Sequence, residues 1–272
     1  MEGKVVLVTG GSSGIGLSIC KYLLTKGCKV FGTSRKVKNG DIQNDITMVR
    51  MDVSDRESIK NAVDYVVQST NRLDVLVNNA GLGMAGSIED SSTEEIEEIF
   101  KTNVFGLLDC CRAVIPQMRK QHSGQIINIS SIAGEFGLPF RGVYSASKSA
   151  VDRFSETLRM ELAQWNIHVS IMQPGDFKTN INQTRRVAAK GLSDESQYRE
   201  VFRKEYKVIS EDVTKAKDPI LVAQRVWKVI SEKNPKMRYP VATPLQRFAL
   251  SVNRVLPTHL FQKMLNWIYP VK

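Results

Sequence analysis

A short apolar run at residues 4–9 leads directly into a glycine-rich loop, and this junction most constrains the fold of the chain. Residues 10–16 read Gly-Gly-Ser-Ser-Gly-Ile-Gly, and an amphipathic helix is predicted after them. Glycines allow a tight turn and a close approach to a pyrophosphate, while free N–H groups and the positive end of the helix attract its charge. The junction predicts a dinucleotide-binding strand, turn and helix; the alternative is a purely structural turn.

The next apolar run, at about residues 28–33, ends at Ser34 and Arg35. In a nucleotide-binding fold of this kind, the end of this strand lies beside the adenosine ribose. An acidic side chain there would bind the 2′-hydroxyl of NAD, whereas Arg35 can pair with the 2′-phosphate of NADP and Ser34 can donate to it. We therefore predict NADP(H) as the cofactor; the alternative is that Arg35 is a solvated surface residue.

Strand and helix patterns continue to alternate along the chain. Further strands are predicted at about residues 46–51, 75–77, 125–129 and 168–172, the last of them being the final sheet strand of this block of the chain. Helices are predicted at about residues 56–69, 93–118, 144–164 and 219–232. This alternation predicts an α/β fold with helices on both faces of a parallel sheet, in which ligands bind at the carboxyl ends of the strands.

Several polar or small residues fall at those predicted strand ends. Residues 78–81 read Asn-Asn-Ala-Gly, where small side chains would let a cofactor lie against the backbone. The last strand runs into Pro174 and Gly175, and Thr179 is placed to reach a phosphate or the nicotinamide amide. Ser131 ends another strand, 13 residues before Tyr144. A short loop can therefore bring Ser131 and Tyr144 together.

Tyr144 and Lys148 are four residues apart, so on a helix their side chains emerge on one face. An isolated phenol titrates near pH 10, but a neighbouring ammonium favours the phenolate and lowers the pKa of the phenol. The pair is therefore a candidate proton donor or acceptor. Tyr22 and Lys26 repeat the spacing inside an early amphipathic helix, where we interpret them as structural.

The composition indicates a reduced, intracellular globular protein. Cys20, Cys28, Cys110 and Cys111 form no metal-binding pattern, and we expect neither a signal peptide nor a spanning helix, which favours a cytoplasmic location. The net charge of +10 is uneven, because residues 177–272 hold 19 Lys or Arg against 8 Asp or Glu. A solvated face explains this bias, and an anionic membrane or an acidic substrate would also fit it. Nucleic acid is not an expected partner, because no recognition motif accompanies the charge.

The C-terminal segment, residues 245–272, carries two apolar stripes separated by Pro257. The first stripe comprises Leu245, Phe248, Ala249, Val252, Val255 and Leu256; the second comprises Leu260, Phe261, Met264, Leu265 and Ile268. Two amphipathic helices in a basic context can pack on the body of the protein as a lid, pack on a partner subunit, or lie on a membrane surface. Residues 180–217 are polar and weakly periodic, as expected for a mobile segment or short helices over a pocket.

With these residues collected, the chain resembles the short-chain dehydrogenase/reductase family over about residues 3–240. The resemblance rests on motifs in the family's order and spacing, and no departure from the active pattern is present. The matching positions are Thr9, Gly10, Gly14, Gly16, Asp52, Val53, Asn78, Asn79, Ala80, Gly81, Asn103, Ser131, Tyr144, Lys148, Pro174 and Gly175. The resemblance implies a single Rossmann-type domain, residues 1–244, with a doubly wound parallel sheet in a three-layer αβα arrangement and a C-terminal helical extension.

The resemblance also implies a role for each catalytic position. Tyr144 looks like the general acid that protonates a carbonyl oxygen during reduction, and Lys148 like the lysine that lowers the pKa of the tyrosine and holds the nicotinamide ribose. Ser131 matches the residue that orients the substrate oxygen, and Asn103 the amide that keeps a water behind the lysine. The full candidate cofactor-binding set is Gly10, Ser12, Ser13, Gly14, Ile15, Gly16, Ser34, Arg35, Asp52, Val53, Asn79, Ala80, Gly81, Tyr144, Lys148, Pro174, Gly175 and Thr179.

These expectations combine into an NADP-dependent oxidoreductase that transfers a hydride between NADPH and an apolar ketone or aldehyde, or the corresponding alcohol. The apolar substrate is expected because the tail resembles those of family members that act on steroids, retinoids and long-chain lipids. The family also implies a homodimer or homotetramer formed through two long helices, here about residues 94–118 and 144–164. The alternatives are an NAD-using alcohol dehydrogenase and an NADP-binding regulatory or scaffold protein without turnover.

Overall fold

The computed structural model describes residues 3–178, 185–214 and 216–269. Its centre is an eight-stranded sheet in the order β10-β8-β7-β5-β1-β2-β4-β3, parallel except for the short edge strand β3. A parallel pair, β6 and β9, lies apart from it. The strands are β1 (Val5–Val8), β2 (Lys29–Ser34), β3 (Ile42–Gln43), β4 (Ile46–Arg50), β5 (Val75–Asn78), β6 (Met84–Ala85), β7 (Gly124–Ile129), β8 (Ile167–Pro174), β9 (Arg186–Val187) and β10 (Arg238–Val241).

Helices cover both faces of the sheet, as the alternating pattern predicts. They are α1 (Gly14–Leu24), α2 (Arg56–Thr70), α3 (Thr93–Phe100), α4 (Leu107–Lys120), α5 (Gly142–Leu162), α6 (Arg199–Thr214), α7 (Ile220–Ser231), α8 (Pro244–Val255) and α9 (Thr258–Ile268). One core packs α2, α4 and α5 on the sheet, and a second core packs α1 and α7 on the opposite face. Buried on both faces, β1 and β5 are apolar almost throughout, as parallel strands require, whereas the equally buried β7 also carries Gln125 and Asn128. The predicted Rossmann-type α/β fold is confirmed.

The order of the strands determines where on the sheet a ligand can bind. From β1 the chain proceeds outward to β2 and β4 on one side, and then returns to add β5, β7, β8 and β10 on the other. The loops after β1 and β5 therefore diverge to opposite faces and leave a crevice at the carboxyl edge of the sheet. Because the predicted site residues follow β1, β2, β4, β5, β7 and β8, the topology gathers them along this edge.

Several features of the fold were not predicted from the sequence. The sheet continues beyond β8, because β10 pairs beside it with Tyr239 opposite Met172. Residues 180–217 were expected to be mobile or to form short helices, yet α6 alone spans 16 residues. The strand escaped detection because residues 238–241 lack an alternating pattern and contain Pro240, which the edge of a sheet tolerates.

The predicted helix over residues 93–118 is interrupted. Between α3 and α4, the segment Lys101–Gly106 forms a π-helical stretch, a wider turn that often marks a functional site. Gly106 belongs to this stretch and lies so close to the chain after β4 that an added Cβ would be 2.3 Å from the Val53 carbonyl oxygen. The extra residue of the π turn re-aims the side chains that precede α4, among them Asn103.

The C-terminal stripes form the two predicted helices, with a break at Pro257. Helix α8 begins with a capping box in which Thr243 and Gln246 satisfy each other's backbone N–H groups. Helix α9 is anchored by Phe261 and Leu265, which are buried beside Leu138 and Phe136. The rings of Phe136 and Phe261 meet edge to face with centroids 5.0 Å apart. Among the described residues, no helix combines the length and apolar character needed to cross a bilayer.

Candidate active site

A cavity of about 440 Å³ opens at the carboxyl edge of the sheet. Its floor comes from the strand ends and from α5, with Ser131, Tyr144 and Lys148 exposed to it. The glycine-rich loop contributes Ile15, and the loop after β5 contributes Asn79 and Gly81. The opposite wall is supplied by α8 and α9. The cavity therefore joins the predicted nucleotide loop, the predicted catalytic side chains and the C-terminal tail in a single space.

The nucleotide loop is held by close contacts that leave no room for a side chain at Gly16. Gly10 has a φ of 65°, in the left-handed region that favours glycine, and its N–H donates to the Thr33 hydroxyl at 3.2 Å. At Gly16, an added Cβ would lie 2.3 Å from the Gly10 carbonyl oxygen and 2.5 Å from Asn79 Nδ2. These contacts fit the close backbone approach that a bound pyrophosphate requires.

Asn79 and Thr9 join the loop after β1 to the loop after β5. The amide of Asn79 donates to the Thr9 carbonyl at 2.9 Å, and the backbone N–H groups of Asn79 and Ala80 donate to the Thr9 hydroxyl, each at 2.9 Å. Thr9 is 1% exposed. Its buried hydroxyl is a structural support that the sequence indicated only as part of the glycine motif.

The end of β2 carries the residues expected to choose between the two nucleotides. Arg35 is exposed there, and Ser34 accepts a hydrogen bond from the Lys36 N–H. Asp52 and Val53 follow the neighbouring strand β4 and are partly exposed. Burial by itself would raise the pKa of Asp52, but hydrogen bonds from Ser54 and the charge of Arg35 outweigh it and hold that pKa below its usual value. Asp52 therefore stays charged at neutral pH and interacts electrostatically with Arg35.

The π-helical stretch places Asn103 behind the catalytic helix. Asn103 is 1% exposed, and its Oδ1 accepts from the Leu82 N–H at 2.8 Å. Its Nδ2 donates to the Leu82 carbonyl at 2.9 Å and to the Ser147 hydroxyl on α5 at 3.1 Å. An added Cβ on Gly81 would lie 3.1 Å from Asn103 Oδ1 and 3.6 Å from Lys148 Nζ. Asn103 thus ties the loop after β5 to the helix that carries the tyrosine and the lysine.

Ser131 and Tyr144 meet at the floor of the cavity. Ser131 follows the end of β7 by two residues and accepts a hydrogen bond from the Ala133 N–H at 3.1 Å, which fixes its side chain. Burial raises the pKa of Tyr144, and the hydrogen bond with Ser131 and the charges of Arg141 and Arg185 oppose that rise. The phenol therefore keeps its proton at neutral pH, which is the form that a general acid needs.

The structure does not identify Lys148 as a group that lowers the pKa of Tyr144. Lys148 Nζ lies 5.9 Å from the centre of the Tyr144 ring and donates to the Ile129 carbonyl at 2.9 Å. Burial lowers the pKa of Lys148 to about 8, and the charge of Asp152 opposes this shift. The predicted effect of the lysine on the phenol stays a prediction, because Lys148 itself is nearly stripped of water and is turned toward a carbonyl.

Behind Lys148 lies a buried polar network that no sequence motif predicted. Asp152 follows Lys148 by four residues on α5, is 1% exposed, and accepts from Gln173 Nε2 at 2.9 Å. The same nitrogen of Gln173 donates to Glu135 at 2.7 Å. Arg238 of β10 contacts Glu135 at 3.2 Å and also pairs with Glu156. The missed strand β10 therefore delivers the cation that balances these carboxylates.

The turn after β8 faces the tail as well as the cavity. An added Cβ on Gly175 would lie 2.3 Å from Gln246 Oε1, and Gln246 Nε2 donates to Asp176 at 2.7 Å. Pro174 accepts a hydrogen bond from the Ser131 hydroxyl at 3.5 Å. The small residues of this turn, predicted only for the cofactor, thus also let α8 approach the site.

The remaining predicted residues fall into three groups. Gly14 and Ile15 begin α1 beside the cavity. Ser12 and Ser13 are exposed on the glycine-rich loop, and the side chain of Ser13 makes no capping hydrogen bond to α1. Thr179 lies outside the described residues. Two cavity-lining cations, Arg141 and Arg185, were not predicted, because neither belongs to a motif with a known role.

Comparison with known proteins gives a consistent result. A family model described as short chain dehydrogenase matches residues 4–190, which is more than half of the chain. The 3-ketodihydrosphingosine reductase of Bacteroides thetaiotaomicron is 35% identical over 272 residues, which is 100% of both chains. The match to this relative includes the tail as well as the sheet.

Solved structures share the fold over almost the whole chain. A short-chain dehydrogenase from Streptomyces avermitilis superposes with a TM-score of 0.81 at 28% identity, covering 97% of each chain. A short chain dehydrogenase/reductase from Burkholderia phymatum in complex with NAD gives a TM-score of 0.79 at 26% identity, covering 97% of this chain and 95% of the other. The chain therefore belongs to the short-chain dehydrogenase/reductase family, whose members are oxidoreductases acting on CH–OH or keto groups with NAD(P).

Proposed function

We propose that this protein is an NADP-dependent reductase of a ketone or aldehyde that carries a long apolar chain. The observation that carries the proposal is the cavity, in which the Ser131 and Tyr144 hydroxyls face a wall built largely of apolar side chains. Leu245, Phe248 and Leu265 of α8 and α9 belong to this wall. A polar reacting group at the floor and an apolar chain along the tail would match this division.

In this proposal each site residue has a defined task. A bound NADPH supplies the hydride, and residues 10–16, Asn79 and Lys148 would hold it. Ser131 orients the substrate oxygen by a hydrogen bond, and Tyr144 gives that oxygen its proton. Asn103 keeps Leu82 and Ser147 in place, so that the loop after β5 and helix α5 stay in register. The protein thus positions two reactants and manages one proton.

The protonation of Tyr144 supports reduction as the favoured direction. Because burial raises the pKa of the phenol, the acid form dominates at neutral pH in the described structure. Carbonyl reduction uses that form directly, whereas alcohol oxidation first needs its deprotonation. We expect reductive turnover to exceed oxidative turnover at pH 7 when both are measured with saturating cofactor.

Arg35 supports NADP over NAD. It is exposed at the end of β2, and the loop that follows presents Lys36 and Lys38 before its first acidic residue, Asp41. A guanidinium pairs with a phosphate through two hydrogen bonds, whereas the ribose 2′-hydroxyl of NAD offers it little. Arg35→Ala should raise the KM for NADPH far more than the KM for NADH. Equal effects on both would refute the assignment and favour an NAD-using alcohol dehydrogenase.

A series of methyl ketones of increasing chain length tests the substrate class. NADPH consumption should show kcat/KM rising with each added methylene until the chain fills the cavity, because each buried CH₂ contributes about 0.8 kcal/mol. The relative from Bacteroides thetaiotaomicron carries a name that states a long-chain ketone substrate, which supports this choice. A kcat/KM that is flat across the series would contradict the proposal.

We also propose a homo-oligomer formed through the helices at residues 94–118 and 144–164. Large apolar side chains are exposed there: Phe105, Phe154 and Met160 are 56%, 43% and 73% accessible. Burial of such side chains is what a subunit interface supplies. We place the Rossmann-type domain in residues 1–244 and its helical tail in residues 245–272. We expect a cytoplasmic protein, consistent with four free, buried cysteines.

A further inference from the structure

The mouth of the cavity is formed by apolar side chains that also face solvent. Leu245 and Phe248 of α8 and Trp267 and Ile268 of α9 all line the cavity, and we call these four residues the mouth rim. Their exposed fractions are 75%, 63%, 85% and 47%. Single exposed apolar residues are ordinary, but four around one opening form a patch of the kind that contacts another apolar phase.

A basic groove lies directly beside the mouth rim. It is lined by Lys217, Arg238, Arg247 and Arg254, and none of its lining residues is acidic. Phe248 belongs to both the basic groove and the mouth rim. Arg238 and Arg254 contact Glu135 at 3.2 Å and 3.6 Å, whereas no ion pair to a described residue occupies Lys217 or Arg247. The groove therefore keeps cationic groups available for an anionic partner.

The sequence around both features carries one sign of charge. Residues 233–272 contain seven Lys or Arg and no Asp or Glu. A second copy of this chain would bring two such segments together, and neither segment holds an acidic residue to pair with the other. Like charges brought close are unfavourable, so this face is poorly suited to self-association. The charge instead complements a surface that is itself anionic.

We propose that the mouth rim and the basic groove together dock on a lipid bilayer with anionic headgroups, so that the cavity opens toward the membrane. Tryptophan and phenylalanine favour the bilayer interface, and Lys and Arg beside them pair with lipid phosphates. This inference rests on the proposed long-chain substrate, because such a ketone resides in membranes rather than in water. Docking would let the chain pass from lipid to cavity without exposing its apolar surface to water.

Vesicle cosedimentation tests the docking without any need for turnover. The wild-type protein should bind vesicles of phosphatidylcholine mixed with phosphatidylglycerol, and bind phosphatidylcholine alone much more weakly. The double variant Lys217→Gln/Arg247→Gln should bind the mixed vesicles roughly 30-fold more weakly, since each basic residue near an anionic surface contributes about 1 kcal/mol. The matched control is Lys21→Gln/Lys120→Gln, which removes the same charge at exposed positions near the opposite edge of the sheet and should bind like wild type.

Fluorescence quenching by brominated lipid tests whether the mouth rim faces the bilayer. Phosphatidylcholine brominated on its acyl chains, included in the mixed vesicles, should quench the part of the tryptophan fluorescence that Trp267→Phe removes. Trp165 and Trp227 remain in that variant and should be quenched little. Binding that is lost equally in both charge variants, or an unquenched Trp267, would overturn the proposal. Loss of self-association in Leu245→Gln/Phe248→Gln without vesicle binding by wild type would overturn it in favour of a second copy.

A comparison of two substrates separates this inference from the proposed function. On a short, water-soluble ketone, Lys217→Gln/Arg247→Gln should keep wild-type kcat/KM, since both side chains lie outside the catalytic cavity. On a long-chain ketone carried in mixed vesicles, its rate should fall in step with its membrane binding. If the long-chain ketone is turned over in detergent but vesicle dependence is absent, docking fails while the proposed function stands. If no carbonyl is reduced in either form, the proposed function fails first.

Discussion

The two sides of the cavity are stabilised by different kinds of interaction. On the nucleotide side, the loops after β1 and β5 are joined by buried backbone hydrogen bonds, and an added Cβ on Gly16 would strike the backbone. On the tail side, α9 is anchored by few side chains, chiefly Phe261 and Leu265, while Leu260, Trp267 and Ile268 are exposed. A side built from backbone tolerates little change, whereas a side built from a few side-chain contacts can be altered without loss of the sheet.

The largest effect is expected when one hydroxyl is removed from the floor of the cavity. Tyr144→Phe should lower kcat for carbonyl reduction by roughly 10²–10⁴-fold, because the general acid is lost. Binding of NADPH, followed by fluorescence titration, should stay close to wild type. Tyr22→Phe is the matched control, since Tyr22 and Lys26 repeat the spacing and Lys26 Nζ lies 5.0 Å from the Tyr22 ring. Equal turnover in Tyr144→Phe and wild type would remove the mechanism.

The nucleotide side can be broken with one methyl group. In Gly16→Ala the new Cβ would lie 2.3 Å from the Gly10 carbonyl oxygen, so the loop must shift. Overpacking of this kind costs about 1–3 kcal/mol, and we expect NADPH to bind roughly 5- to 150-fold more weakly, measured by calorimetric titration. Gly137→Ala is the control, because nothing lies within 4 Å of an added Cβ there. Similar affinities in the two variants would show that the loop is not the nucleotide site.

The buried carboxylate behind Lys148 predicts a pH dependence. Burial lowers the pKa of Lys148 to about 8, while the charge of Asp152 opposes that shift. If the ammonium form is the active one, kcat/KM should fall as pH rises through about 8. Asp152→Asn removes the opposing charge and lowers the pKa of Lys148 further, so the fall should begin at lower pH.

An exposed carboxylate provides the control for this pH dependence. Asp64→Asn removes a carboxylate from the exposed pair with Lys60, on α2, and should leave the profile unchanged. Burial also raises the pKa of Asp152 itself. An unchanged profile in Asp152→Asn would mean that Asp152 is already protonated near neutral pH and does not act on the lysine.

The tail side should give the smallest effect on the fold. In Phe261→Ala, α9 loses its contact with Phe136, and we expect the KM for a long-chain ketone to rise several-fold while NADPH affinity stays unchanged. Because α9 packs in a small cluster with residues 133–138, Tyr144 and Val252, apart from the two main cores, the Tm should fall by only a few degrees. Leu260→Ala, at an exposed neighbour on α9, is the control. Weakened NADPH binding in Phe261→Ala would erase the distinction between the two sides.

Local pattern was sufficient for the parts of the site that are contiguous in the chain. The glycine-rich loop, residues 78–81, and the Tyr144 and Lys148 spacing each encode their geometry within a few residues, and the alternation of strands and helices fixed the parallel sheet. Pattern was insufficient for β10, whose place depends on pairing with β8. It was also insufficient for Arg185, which lies beside the cavity where β9 pairs with the distant strand β6.

The sequence by itself determined the α/β fold, the edge of the sheet at which ligands bind, and a tyrosine and lysine on one helix face. Tertiary structure decided what surrounds them. In the π-helical stretch that carries Asn103, Gly106 lies against Val53 of a distant segment. The burial of Lys148 and Tyr144 depends on layers packed from many segments. It also decided that the apolar stripes of the tail line the cavity and face solvent at once. Hydrogen bonds and periodicity within one segment can be read locally, but burial and electrostatics are sums over residues far apart in the chain.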